Sequence, residues 1–129
     1  MTASTLFCWI GAVVDALAVF VLLSPALARQ VLGVADVPET PALDYAMRTA
    51  AALMLGWTVL LVWAARHPPV QRAVIGFTLV PVVAGLMLTE LLALRAGFVT
   101  LANVGPMLAM QGALLGFGAW CLLRATARA

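Results

Sequence analysis

Lysine is absent from this 129-residue chain, and charged residues of every kind make up only 9% of it. Soluble domains carry about 25% charged residues, so a chain this poor in charge cannot coat a water-exposed globule. The seven basic residues are all arginines, scattered singly. No basic stripe exists that would follow a phosphate backbone, which excludes nucleic acid as a partner. The single histidine, His67, stands alone in an Arg66-His67-Pro68-Pro69 turn, and haem or zinc would need ligands the chain does not supply. The two cysteines, Cys8 and Cys121, lie in apolar runs without a partner at metal or redox spacing and read as small buried hydrophobes. Asp36, Glu39 and Asp44 lack the spacing and the glycine of a calcium loop and read as a solvated acidic turn. Phosphate loops and nucleophile elbows are also missing. The expectation is no metal and no cofactor, and no reaction is legible, which leans away from an enzyme.

What the chain has in quantity is hydrocarbon, with 65% hydrophobic residues. A bilayer core of about 30 Å takes about 20 apolar residues per helix, so four spans and short connections use nearly the whole length. The predicted fold is all-α: a single integral membrane domain over residues 1–129, a four-transmembrane-helix bundle running up-down-up-down. Its spans fall at about 6–23, 46–65, 73–94 and 100–123. The first run resembles a secretory signal around Ser24-Pro-Ala-Leu-Ala28, but no basic residue precedes it and Asp15 interrupts it. Leu27, Val31 and Val34 recur at helical spacing, which predicts a short surface helix after the first span. Thr40 is placed to cap a helix beginning at Pro41. Pro81 is expected to bend the third span, and Gly105-Pro106 marks either a kink in the fourth or its first turn.

Charge counting predicts the orientation. Arg66, Arg72, Arg124 and Arg128 flank one side, and Asp36, Glu39 and Asp44 occupy the first connection on the other, so both termini are expected in the cytoplasm. Trp9, Trp63 and Trp120 fall at one level and Tyr45 and Phe98 at the other, in agreement.

Four polar groups lie within the apolar runs: Asp15, Arg48, Glu90 and Gln111. An ionised group facing hydrocarbon costs several kcal/mol, so these are expected to turn inward as an outward-opening polar pocket. In that arrangement Arg48 pairs with Glu90, and Asp15 with Gln111 or water. The competing arrangement has Arg48 snorkel outward and pair with Asp44 one turn earlier. Asp15, near mid-depth, is too short to reach water and is the foremost single candidate. On its face Cys8, Gly11, Ala12, Ala18, Val19 and Leu22 are mostly small, which invites a close helix neighbour. Gly112 and Gly116 form a second small-residue face.

At Arg48-Thr-Ala-Ala-Ala-Leu-Met-Leu-Gly-Trp57, the Arg66-His-Pro-Pro turn, and Pro81-Val-Val-Ala-Gly-Leu86 with Glu90, the chain resembles a group of small bacterial four-helix membrane proteins with no assigned activity. The resemblance runs from about Trp9 to Leu123 and implies the fold and the bacterial inner membrane. More remotely, four helices with buried acids are similar in architecture to sterol isomerases and the sigma-2 receptor, whose pockets hold sterol-like or cationic ligands. Asp15 also resembles the first-helix acid of small multidrug transporters, but the long first connection and Arg48 depart from that pattern.

Three functions follow as expectations. The foremost is a structural or accessory inner-membrane protein, its polar residues holding helices together. The second is a binder or isomerase of a sterol-, terpenoid- or lipid-like molecule. The third is a proton-coupled small-molecule transporter acting as a homodimer. The expected partners are the lipid bilayer with a lipophilic ligand or a membrane-protein subunit.

Overall fold

In the computed structural model, residues 1–35 and 37–126 are described, the last two by their backbone alone. Asp36 and Arg128, which enter the charge count above, lie outside the described residues. The elements are α1 (Ala3–Leu22), α2 (Pro25–Val31), α3 (Pro41–Arg66), α4 (Pro68–Phe77), a π-helical segment (Thr78–Ala84), α5 (Gly85–Arg95) and α6 (Leu101–Thr126). α4, the π-helical segment and α5 form one continuous rod, so four rods are long and apolar enough to cross a membrane: Ala3–Leu22, Pro41–Arg66, Pro68–Arg95 and Leu101–Arg124. The all-α four-helix bundle expected from the sequence is the fold observed.

Local chemistry sets the boundaries. The Thr2 and Thr40 hydroxyls each accept the backbone N–H three residues on, from Thr5 and Leu43 at 3.2 Å, capping α1 and α3. Pro25, Pro41 and Pro68 open α2, α3 and α4, where a missing N–H costs nothing. Both α2 and α5 end in a Schellman turn on a glycine with positive φ. At Gly33 (φ 70°) Val34 N donates to Arg29 O at 2.9 Å, and at Gly97 (φ 71°) Phe98 N donates to Ala93 O at 3.0 Å. The surface helix is thus real but sits at Pro25–Val31, slightly earlier than its hydrophobic spacing indicated.

Pro81 does more than bend its rod. Its ring would strike the carbonyl four residues back, and the backbone relieves that by widening to π-helix over Thr78–Ala84. Pro106 lies inside α6, which begins at Leu101; the Gly105-Pro106 pair is therefore not the first turn of the last span.

α1 lies most extensively against α3, while α6 packs on α1, α4 and the π-helical segment. α5 makes its extended contacts with the π-helical segment and α6. The core gathers where the termini and the α3–α4 turn meet, around Phe7, Cys8, Leu61, Ile75, Leu79 and Cys121. Two glycines permit that closeness. A Cβ on Gly11 would sit 3.1 Å from Leu61 Cδ1, and one on Gly118 would sit 2.6 Å from Leu79 and 2.8 Å from Phe7. Large apolar side chains instead stand outward around the bundle, among them Leu17, Phe20, Leu53 and Val80. Cys8 and Cys121 are free and buried in the core.

Candidate functional site: a chamber at the end opposite the termini

Toward the far end the close packing gives way. No residue of α1 beyond Ala12 is buried, and none of α5 is. Between α5 and α6 on one side and α2, its following connection and the start of α3 on the other lies a chamber of about 250 Å³. Val31, Leu32, Val34 and Val37 roof it, Leu43 closes one side, and Ala93, Val99, Val104 and Met107 form the opposite wall. Among the described residues, Thr89, Glu90 and Asn103 are its polar lining residues.

The roof is tied down from both sides. Arg29 Nη2 donates to Glu39 Oε1 at 2.6 Å, and Nη1 donates to Val37 O at 3.1 Å, folding the connection back on α2. Asn103 Nδ2 on α6 reaches Gly33 O at 3.4 Å. Gly33 is doubly required, because its φ is positive and a Cβ there would lie 2.5 Å from Asn103. Replacing Gly33 by alanine is therefore expected to cost at least about 1 kcal/mol from the left-handed backbone alone. Thermal unfolding followed by circular dichroism checks it, and an unchanged midpoint would contradict the roof geometry.

The four residues singled out from the sequence do not form one cluster. Glu90 and Gln111 do meet, with Gln111 Nε2 donating to Glu90 Oε1 at 2.8 Å between α5 and α6. Glu90 Oε2 and Gln111 Oε1 are enclosed and have no partner. Arg48 stays with Asp44, Nε to Oδ2 at 3.0 Å, its side chain 71% exposed. The proposed Arg48–Glu90 pair is thus not made: α5 packs on α6, which turns Glu90 toward Gln111, while Asp44 lies on the same face of α3 as Arg48, one turn away. Asp15 continues the face of Cys8, Gly11 and Ala12 and its Oδ2 is enclosed without a partner. It makes no hydrogen bond with Gln111, whose Nε2 donates to Glu90, and it is not among the residues that line the chamber. The expected polar pocket is therefore replaced by a chamber whose described lining is almost wholly apolar, with one carboxyl in its wall. Because the Arg48–Asp44 pair is solvated, Arg48→Ala is expected to change stability by no more than about 0.5 kcal/mol, measured by denaturant titration.

Some polar contacts were not anticipated. Gln71 is buried and donates to Thr5 Oγ1 at 3.1 Å and Ala65 O at 3.3 Å, linking α1, α3 and α4. Thr78 accepts from Trp57 Nε1 at 3.2 Å. The signal was there: Gln71, Val74, Ile75 and Thr78 recur at helical spacing on one buried face. His67 is exposed but structural, its ring 4.9 Å from Trp63 and its Nδ1 2.7 Å from Trp63 O at the end of α3. Among the described residues no group of three His, Cys, Asp or Glu side chains is placed to hold a metal.

Fold and site define a class: an all-helical chain with four rods of membrane-crossing length and an apolar chamber at one end of the bundle. Family models, curated proteins and solved structures show no match to this chain.

Proposed function

We propose that the chain is a multi-pass protein of the bacterial inner membrane, with both termini cytoplasmic, that holds a lipophilic molecule in the chamber at the outer-leaflet end. Supporting the placement, Arg66, Arg72 and Arg124 stand at the terminal end, where Arg124 lies 4.2 Å over the Trp120 ring. At the other end Arg29 and Arg48 are paired with acids, and Arg95, at the end of α5, is exposed with no ion pair among the described residues.

The chamber is the observation that carries the binding reading. A concave apolar space with a few polar groups is what small-molecule sites share, and about 250 Å³ lies just below the usual range of roughly 300–1,000 Å³, enough for part of a lipophilic body. Its lining suits a sterol-, terpenoid- or lipid-like body held mainly by contact with Val31, Val34, Val99 and Met107. Binding is favoured over isomerisation, since proton transfer across a substrate needs an acid and a base and Glu90 is the one titratable lining residue among those described. Asp15 shares the face of buried Cys8 and Gly11, so nothing turns it toward a second copy as a paired transporter would require.

Native extraction followed by mass spectrometry tests the proposal. The wild-type chain is expected to carry a co-purifying lipophile, and Ala93→Phe, which fills the chamber, to lose most of it while keeping its helical spectrum. A chain that is always bare, or one whose every adduct is indifferent to Ala93→Phe, would overturn it.

A second reading, an accessory subunit, has its own support. Arg48 faces solvent, and Gly112 and Gly116 lie on an open face of α6 where an added Cβ meets nothing within 4 Å. A stoichiometric partner protein in the same extraction, lost on Gly116→Leu, would favour this reading over ligand binding.

A further inference from the structure

We propose that a furrow between α4 and α6, at the terminal end, is a site for one anionic phospholipid, its headgroup on Arg72 and an acyl chain lying along Gly76 and Pro81. This rests on the membrane placement of the four long rods and is independent of the far-end chamber. The furrow is an open groove of about 1010 Å³, lined by Arg72, Gly76, Phe77, Pro81 and Leu122 among others.

Its shape has a cause. Gly76 contributes no side chain, and a Cβ built there would meet nothing within 4 Å. Just beyond it the rod widens into the π-helical segment around Pro81. Phe77 and Leu123, 63% and 70% exposed, stand proud at the groove. From Arg72 to Pro81 the helix advances about 14 Å, close to half of the roughly 30 Å hydrocarbon core. The furrow therefore spans one leaflet from headgroup level to midplane, which is the reach of a single acyl chain.

Charge complementarity identifies the head. The two ion pairs of the described residues are Arg29–Glu39 and Arg48–Asp44, both at the far end, and no carboxylate among the described residues pairs with the exposed Arg72. Arg66 and Arg124 share this end, and Arg124 covers Trp120. An arginine at headgroup level with no internal acid is matched by a phosphate carrying net negative charge, which a planar guanidinium can bind in bidentate fashion.

The test uses the full chain in lipid nanodiscs of equal phosphatidylglycerol and phosphatidylcholine, with the lipids retained after release read by native mass spectrometry. One retained phosphatidylglycerol per chain is expected in preference to phosphatidylcholine. Arg72→Gln should lower that preference about fivefold, while Arg66→Gln and Ala93→Phe leave it unchanged. Gly76→Leu, which fills the groove, should abolish retention. If Gly76→Leu fails to fold, the surface change Arg72→Gln still decides the matter. Equal retention of the two lipids, no effect of Arg72→Gln, or a second copy of the chain seated in the groove would each overturn the site. A chain that does not enter nanodiscs at all would instead remove the membrane placement on which it rests.

Discussion

Gly118→Leu is expected to destabilise the bundle by about 3 kcal/mol, the upper end of the range for overpacking a well-filled interior. A Cβ at this position already lies 2.6 Å from Leu79 Cδ2 and 2.8 Å from Phe7 Cε2. Those two side chains are only 5% and 1% exposed, so neither has room to retreat. The same substitution at Gly116, two residues away on the open side of α6, supplies the control. Nothing lies within 4 Å of its Cβ, and a better helix former there should be neutral to slightly stabilising. Unfolding of the reconstituted protein by a denaturing detergent, followed by circular dichroism, gives both values. Equal tolerance at the two glycines would mean that α6 does not press on Phe7 and Leu79 as described.

Gln111→Leu should cost about 2 kcal/mol, because it removes the donor to Glu90 Oε1 and leaves the carboxyl, whose Oε2 is already enclosed and unpartnered, with no hydrogen bond among the described residues. The double variant Glu90→Leu/Gln111→Leu should recover most of that loss, since removing both partners also removes the orphaned group. The coupling energy from the four-member cycle is therefore expected to exceed about 1 kcal/mol, above the roughly 0.6 kcal/mol average for interhelical hydrogen bonds in membranes. Additive single effects would show that Glu90 has another partner. Glu90→Leu and Gln111→Leu also differ in their consequence for the chamber. Glu90 lines it and Gln111 does not, so ligand retention should respond to the first more than to the second.

Much of the architecture could be read from residue order. Four apolar runs, separated by the connection from Pro25 to Pro41, by Pro68-Pro69 and by Gly97, correspond to four long rods. The Thr40 cap and the Pro41 start were legible because capping is settled within four residues. Pro81 was legible as a disturbance, but not as a π-helical widening, which depends on how neighbouring helices receive the displaced carbonyl. The site was less accessible. Asp15, Arg48, Glu90 and Gln111 stand out as polar residues in apolar runs, yet their partners depend on which helices touch. Arg48 chose the local acid, and Glu90 turned to α6. The chamber itself left no mark in composition, since Val31, Val34, Val99 and Met107 are individually ordinary.

By itself, the order of residues determined the apolar character of the chain, the number of its long helices, their caps and breaks, and which few polar side chains would fall within apolar runs. These are properties of single segments, set by hydropathy over about 20 residues and by backbone chemistry within one turn. Tertiary packing alone decided that the tight core lies at the terminal end, that α2 roofs an apolar space at the other, and that Glu90 binds Gln111 while Asp15 keeps an unpartnered oxygen. The reason is physical. Contacts such as Gly118 against Phe7 or Asn103 against Gly33 join residues more than 65 positions apart, and the rotation of each rod that brings them together is chosen by the whole interface.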